Sequence, residues 1–219
     1  MFIQKALLCR LLPTARLCAG SNVEMLFLMA YCFLLRVPSE CLPAIKGRDG
    51  YDSGEAQSVV IVRESELVLR LKKRKNKLGG SVLVRTCWCQ SSEALCPVHV
   101  LGRYFAGLAC GEAPFAGISS GKASSFLKHC MERLGVENGA VYRCHDLRRG
   151  HAKDLQQAGS TLKEILEVRI AWRFGSRCLV VEAGEWRSPA FLRYLDLDVL
   201  ERDIVVDAHA AESSSDSDG

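Results

Sequence analysis

The feature that most constrains this chain is an uninterrupted apolar run near its beginning. The run extends from Met25 to Leu35 and ends at Arg36. At about 1.5 Å per residue, a helix of that length reaches only roughly half-way across the ~30 Å hydrocarbon core of a membrane. Such a run has to be covered by other parts of the protein, which predicts a buried helix of a globular fold.

The composition fits a globular domain. Of the 219 residues, 48% are hydrophobic and 25% are charged, which excludes a wholly disordered chain, a collagen-like chain and a coiled-coil rod. The formal net charge of +4 allows nucleic acid as a partner. The chain has eleven cysteines, which is an odd number, and they are scattered through apolar segments. This pattern indicates reduced thiols in an intracellular protein and not a disulfide framework.

Periodicity and turn chemistry predict an α+β fold that is mainly helical. Three short β-prone segments predict a small three-stranded antiparallel sheet, and they cover residues 58–63, 67–71 and 82–86. Later segments have the spacing of amphipathic helices, and they cover residues 97–108, 124–134 and 144–158. Gly159 is suited to end the last of these helices. Ser188 and Pro189 form a typical helix start and predict one more.

The strongest site motif is YRCHDLRRGHA at residues 142–152. His145 and Arg148 are three residues apart and share one face of the predicted helix. Together they can grip a tetrahedral oxyanion, because arginine offers two parallel donors and histidine can hold a proton near neutral pH. An exposed basic helix with a satisfied histidine is the alternative interpretation.

A second motif, WRSPAFLRYLD at residues 186–196, contains Tyr194. Tyr194 lies one residue off the apolar stripe formed by Leu192 and Leu195, so its ring can pack while its hydroxyl reaches a cleft. A tyrosine hydroxyl is a competent nucleophile once cations polarise the acceptor. The alternative is an ordinary tyrosine at the edge of the core.

Two further basic features point to an anionic partner. Arg36 directly follows the apolar run, and Glu40 could orient it, although a simple ion pair at a helix end is the alternative. The segment RLKKRKNK at residues 70–77 is expected at a hairpin tip, where it can contact a phosphate backbone or merely be a solvated face. Its candidate DNA-binding residues are Lys72, Lys73, Arg74 and Lys77.

These motifs, in this order, resemble the catalytic domain of the tyrosine recombinases, also called phage-type integrases. The amino-acid sequences of the motifs most resemble those of eukaryotic Crypton-like transposon recombinases. The matching segments are FLLRVPSE (33–40), KNKLGGSVLVR (75–85), CPVHVL (96–101), YRCHDLRRGHA (142–152), LQQAGSTLKEIL (155–166) and GEWRSPAFLRYL (184–195). The resemblance covers roughly residues 22–200 and implies an integrase-type catalytic domain that performs site-specific recombination or integration.

The resemblance also implies how the residues act on DNA. Tyr194 would attack a phosphodiester and form a 3′-phosphotyrosine with a free 5′-hydroxyl. Arg36 and Arg148 would hold the non-bridging oxygens, and His145 would serve as general base for the tyrosine hydroxyl.

Two more roles follow from the same resemblance. Lys75, with Lys73 as second choice, would protonate the leaving 5′-oxygen. Trp186 stands where many members have histidine, and its indole would donate one hydrogen bond to buttress the site. The family implies no metal or nucleotide cofactor, double-stranded DNA as partner, a tetramer on DNA, no membrane, and a nuclear or otherwise intracellular location.

The chain departs from the family pattern in three ways. Residues 168–182 are β-prone and basic, and removing them leaves a continuous helix–loop, so they are interpreted as an insertion, such as a translated intron. The spacing from Trp186 to Tyr194 is eight, whereas nine is usual in bacterial relatives. The chain also has no room for the family's N-terminal DNA-binding domain. An inactive DNA-binding remnant is therefore the alternative function.

The expected organisation has three parts. Residues 1–21 form an N-terminal segment, either an ordinary first helix, which we favour, or an organelle-targeting sequence, because the segment is basic and lacks acids. Residues 22–207 form the recombinase-like domain, and residues 208–219 form a disordered acidic tail.

One side motif combines three cysteines with a histidine. Its members are Cys87, Cys89, Cys96 and His99. Four such ligands could hold tetrahedral zinc, which would allow a zinc-stabilised structural protein without DNA chemistry. The Cys-x-Cys spacing is unusual for zinc, so small buried thiols are the preferred interpretation.

Overall fold

A computed structural model of the chain describes residues 1–50, 58–72, 80–90 and 92–160. The α-helices there are α1 (Lys5–Ala19), α2 (Ser21–Cys32), α3 (Gly102–Ala106), α4 (Ser120–Arg133) and α5 (His145–Gln157). The strands are β1 (Ala44–Gly47), β2 (Ser58–Val62), β3 (Glu66–Leu71) and β4 (Ser81–Thr86). Shorter π-helical turns are Val37–Cys41 and Pro97–Leu101, and 3-10 turns are Glu93–Leu95 and Gly139–Val141. The predicted α+β class is confirmed.

The apolar run lies mostly in α2, which is buried on all sides. Every residue from Met25 to Cys32 is at most 6% exposed. α1 packs against α2 through Leu8, Leu11 and Ala15, which share one helix face and are fully buried. The structure therefore places a helix in the N-terminal segment, and this helix contributes residues to the main core.

α2 ends inside the apolar run because Leu34 takes a left-handed backbone conformation, with φ 51°. Its N–H donates to the Tyr31 carbonyl at 3.1 Å, and the Leu35 N–H donates to the Ala30 carbonyl at 2.9 Å, the paired pattern of a Schellman motif. A left-handed conformation costs a residue with a Cβ about 1 kcal/mol or more. Burial of the Leu34 side chain offsets that cost, and the turn releases Arg36 into extended backbone.

The sheet has four strands in the order β1-β2-β3-β4. β1 is parallel to β2, whereas the other neighbours are antiparallel. The sequence predicted three antiparallel strands, and these are present as β2, β3 and β4. The prediction missed β1, a fourth strand that is parallel to β2. β1 has only four residues and follows Pro43, so no alternation is visible in the sequence. It is recognisable only by its pairing, in which Ile45 lies opposite Val59.

The two faces of β3 contact different groups, as its alternating sequence predicts. One face carries residues of the main core, namely Leu67, Leu69 and Leu71. On the other face, Val68 joins Val59 and Ile61 in a small separate cluster. β3 ends at Leu71 and is followed by the exposed Lys72.

The two longest helices of the second half have well-formed ends. α4 begins four residues earlier than expected because the Ser119 hydroxyl accepts a hydrogen bond from the Lys122 N–H at 3.2 Å. α5 ends at Gln157, within one residue of the prediction, and Gly159 follows the helix with φ 84°. There the Gly159 N–H donates to the Gln156 carbonyl and the Ser160 N–H to the Leu155 carbonyl, both at 3.0 Å.

Gly150 lies where α5 meets the start of the chain. The Ile3 N–H donates to the Asp146 carbonyl at 2.9 Å, one turn before Gly150. A Cβ added to Gly150 would overlap the backbone of Ile3. Only glycine therefore allows α5 to approach residues 1–4 this closely.

Gly150→Ala is expected to lower the free energy of unfolding by about 3 kcal/mol, because the backbone has to move to make room for a methyl group. Urea denaturation followed by circular dichroism measures the change. Gly121→Ala in α4 is the matched control, since its Cβ would meet only the Ser119 hydroxyl at 3.9 Å. That variant should gain up to about 1 kcal/mol from helix propensity. Unchanged stability of Gly150→Ala would contradict the close approach.

Candidate active site

The first turn of α5, which carries His145, is held by Asp146. The Asp146 carboxylate accepts a hydrogen bond from the Arg143 N–H at 2.9 Å and another from Arg149 Nη1 at 3.2 Å. A carboxylate in the first turn also complements the positive end of the helix dipole. In the resulting orientation Leu147 is buried in the core, whereas His145 lies at the surface.

Arg148 is a buried cation, only 2% exposed, and Glu40 is equally buried. Both charges act on the thiol of Cys41. Burial raises the pKa of this thiol well above its usual value, the negative charge of Glu40 raises it further, and the positive charge of Arg148 lowers it. The opposite charges of Arg148 and Glu40 therefore share one buried region, as buried charges require.

Arg36 enters the site from the end of α2. The Glu40 carboxylate accepts a hydrogen bond from the Arg36 backbone N–H at 2.8 Å. The Ser58 hydroxyl in turn donates to the Glu40 carbonyl at 2.7 Å, which ties this turn to β2. The sequence predicted that Glu40 could orient Arg36. In the structure, the Glu40 carboxylate binds the backbone N–H of Arg36.

The imidazole of His145 lies within electrostatic range of Arg148 and Arg36. Neighbouring atoms crowd its ring, although the residue reaches the surface. This desolvation, together with the positive charges of Arg148, Arg149 and Arg36, lowers the pKa of His145 to about 4 against the opposing charge of Asp146. At neutral pH the side chain is therefore an uncharged imidazole near cations. It is a weak base there, and a bound anion such as phosphate would offset the positive charges and raise its proton affinity.

The helices α2 and α5 are joined by contacts that the sequence did not predict. Tyr31 stacks on His151 with ring centroids 4.5 Å apart, and its hydroxyl donates to Asp154 at 2.5 Å. His151 Nδ1 donates to the Tyr31 carbonyl at 2.6 Å. Burial and the charge of Arg85 lower the pKa of His151 to about 3, so its ring stays neutral. The available sequence signal was the three-residue spacing of His151 and Asp154 on one helix face.

Arg85 on β4 caps the end of α2. Its Nε donates to the Cys32 carbonyl at 2.7 Å, and its guanidinium lies 5.1 Å from the centroid of the Phe33 ring. A cation is favourable at the negative end of a helix and over an aromatic face. Arg85 therefore fixes the end of α2 from which Arg36 emerges.

Several candidate residues lie outside the described residues, and their roles stay predictions. Of the hairpin cations, Lys72 is described and exposed. The candidates outside are Lys73, Arg74, Lys75, Lys77, Trp186 and Tyr194. The predicted insertion at 168–182 and the predicted tail at 208–219 lie outside as well.

The two histidines of α5 make the fold sensitive to acid. His145 and His151 both have folded-state pKa values below the ordinary value of 6.5. Below that pH the unfolded chain binds protons that the folded chain does not, so stability is fully present above about pH 6.5 and is lost as the pH falls towards 4. We expect the urea midpoint to fall over this range.

His145→Gln removes one of the two groups and should flatten this pH dependence. His129→Gln, on the exposed surface of α4, is the control for replacing a histidine. A urea midpoint that stays constant between about pH 6.5 and 4 would contradict the assignment of neutral histidines.

Comparisons of the chain with protein-family models, with curated proteins and with solved structures found no match. In the part of the chain that the structure describes, no helix is both long enough and apolar enough to cross a membrane. A proposal of function therefore rests on the chemistry of the described residues together with the sequence motifs.

Proposed function

We propose that this protein breaks and rejoins DNA strands through a covalent 3′-phosphotyrosine. The observation that carries the proposal is the neutral imidazole of His145 in the electrostatic range of Arg148 and Arg36. Two guanidinium groups can bind the non-bridging oxygens of one phosphodiester, and the imidazole can accept a proton beside it. This is the set of groups that a nucleophilic attack on a DNA phosphate needs.

In the proposed reaction, the Tyr194 hydroxyl oxygen attacks phosphorus and the bond from phosphorus to the 5′-oxygen breaks. His145 takes the phenolic proton, and Lys75 gives a proton to the departing 5′-oxygen. Arg36 and Arg148 stabilise the negative charge that grows on the non-bridging oxygens. The phosphotyrosine keeps the bond energy, so attack by a 5′-hydroxyl reverses the step and rejoins DNA without nucleotide or metal.

The burial of Arg148 strengthens this assignment. Charges interact more strongly in a site with little water than at an exposed surface. Packing of α5 holds the residue in place before substrate arrives, so little reorganisation is needed as charge develops. Trp186 would support the same phosphate through the single donor of its indole.

The proposed partner is double-stranded DNA. Lys72 stands at the start of the basic hairpin segment, and Lys73, Arg74 and Lys77 would continue its contact with the phosphate backbone. By resemblance to the family, the active form would be a tetramer on DNA. Chromosomal DNA as substrate would place the protein in the nucleus.

The second candidate function is that of an inactive DNA-binding remnant. The observation that favours it is the β-prone segment at 168–182, which separates α5 from Tyr194 in the sequence. A chain in which this segment misplaces Tyr194 would keep its basic surface and lose the nucleophile. The two functions therefore predict equal DNA binding and opposite results in a covalent trap.

The test is a pool of nicked DNA duplexes, randomised around the nick, from which the cleaved strand diffuses away. The chain and a version lacking residues 168–182 are incubated with the pool and then denatured. Recombinase activity predicts a protein–DNA adduct whose linkage maps to Tyr194 by peptide mass spectrometry. Salt-sensitive binding without an adduct in both versions would establish the remnant, and an adduct on another residue would refute the mechanism.

A further inference from the structure

The loop between β4 and the helical turn Pro97–Leu101 brings together four side chains that the proposed reaction does not use. They are Cys87, Cys89, Cys96 and His99. Their sulfur and nitrogen ligand atoms all lie within 4.8 Å of one another. Cys87 and His99 are exposed, so burial of thiols, the interpretation preferred from the sequence, does not explain the group.

Hydrogen bonding does not explain it either. Three sulfur atoms converge on Nδ1 of His99, at 3.0 Å from Cys89, 3.3 Å from Cys96 and 3.5 Å from Cys87. A neutral imidazole nitrogen offers one lone pair, so it accepts one thiol proton and not three. Four ligand atoms this close together suit a single bound metal ion.

The distances have the size that a tetrahedral zinc ion imposes. With Zn–S near 2.3 Å and Zn–N near 2.05 Å, tetrahedral angles place sulfurs about 3.8 Å apart and sulfur and nitrogen about 3.6 Å apart. The sulfurs of Cys96 and Cys87 are 3.7 Å apart, close to the expected value. Nδ1 of His99 is 3.5 Å from Cys87 and 3.3 Å from Cys96, near the expected value, and 3.0 Å from Cys89, which is shorter. The whole set of ligand atoms spans no more than 4.8 Å.

Backbone donors around the sulfurs also suit thiolate ligands. The Trp88 N–H donates to the Cys96 sulfur at 3.2 Å, and the Cys89 N–H donates to the Cys87 sulfur at 3.4 Å. Amide donors that point at metal-bound sulfur spread its negative charge and orient the ligand. Both donors come from the loop itself, so the loop conformation supplies ligands and their supporting bonds together.

We propose that Cys87, Cys89, Cys96 and His99 form a structural zinc site. All four positions are protein ligands, so no position is open for substrate, as is typical of structural sites. The ion would join the end of β4 to the helical turn that follows. The proposal of a zinc site does not depend on the DNA chemistry proposed above.

Zinc would also support the helix of the active site. Trp88 lies between two ligands, and its ring meets the ring of His151 edge-on with centroids 5.5 Å apart. His151 is on α5, which carries His145 and Arg148. A fixed loop would therefore hold Trp88 against α5 and limit the movement of that helix.

The test uses the full chain purified without chelator. Elemental analysis should find about one zinc per chain, and X-ray absorption should show three sulfurs near 2.3 Å and one nitrogen near 2.0–2.1 Å. Replacement by Co²⁺ should give the absorption of tetrahedral cobalt with thiolate charge transfer. A zinc-free chain, a different ligand set, or a disulfide among the three cysteines would overturn the proposal.

Variants separate this site from the other cysteines. Cys89→Ser should lower Zn²⁺ affinity by more than about 100-fold, whereas His99→Cys should keep tight binding because it replaces one ligand with another. Cys110→Ser, at an exposed cysteine outside the cluster, is the matched control and should leave zinc content unchanged. Full zinc occupancy in Cys89→Ser would place the metal elsewhere and refute the assignment. The spectra of the unmodified chain decide the matter if a variant fails to fold.

Discussion

Tyr194→Phe is expected to abolish the covalent protein–DNA adduct while DNA affinity stays within about twofold, because only one hydroxyl is lost. The phenolic oxygen is the atom that bonds to phosphorus in the proposed reaction, and phenylalanine has no replacement for it. The arginine side chains near His145 cannot substitute, since they are not nucleophiles at neutral pH. The measurement is the fraction of nicked DNA that stays bound to protein after denaturation.

A second tyrosine provides the control for this variant. Tyr104→Phe also removes one hydroxyl, which donates to Asn22 at 2.9 Å on the surface of the domain. That variant should form the adduct at the normal rate. An adduct that survives Tyr194→Phe would show that another residue attacks the DNA, and the assignment of the nucleophile would then be wrong.

Arg148→Ala is expected to slow adduct formation by about 100- to 1,000-fold, the usual cost of removing one donor that stabilises a transition state. The guanidinium would bind charge that is larger in the transition state than in the bound DNA, so the rate constant should fall much more than affinity. Single-turnover kinetics with excess protein measure the rate, and a gel-shift titration measures the affinity.

Two variants control for the lost charge and for the fold. Arg148→Lys keeps the positive charge without the paired donors and should recover part of the lost rate. Arg143→Ala removes an exposed cation two residues before His145 and should change the rate little. Because Arg148 is a buried charge, circular dichroism has to confirm that each variant is folded. Equal rate losses in Arg143→Ala and Arg148→Ala would mean that the loss of one positive charge explains the effect. The specific role of Arg148 would then be wrong.

Much of the local structure was predictable because its causes are local. The end of α5 at Gly159 follows from the need for a residue that accepts positive φ. The faces of β3 follow from the alternation of Leu67, Val68 and Leu69. Helix ends that break local rules were not predictable. Leu34 takes a conformation usually reserved for glycine, and only its burial in the folded protein makes that acceptable.

The candidate site shows the same division. Spacing alone placed His145 and Arg148 on one helix face, and the apolar run placed Arg36 at the end of a buried helix. The effect of the Arg36 charge on His145 depends on packing of α2 against α5, and Tyr31 and His151 join these two helices. The bond from Tyr31 to Asp154 joins residues 123 apart in the chain, so no local pattern reveals it.

The sequence by itself determined the α+β class, the buried α2 and the start and end of α5, because periodicity and turn chemistry act between near neighbours. The sequence also grouped the three cysteines with His99, and the fold brought their ligand atoms within 4.8 Å of one another. Tertiary structure alone decided two other features: the parallel strand β1 and the low pKa of His145. Each depends on groups that are distant in sequence and close in space. Hydrogen bonding, burial and charge act over a few ångströms, so these features exist only once the chain has folded.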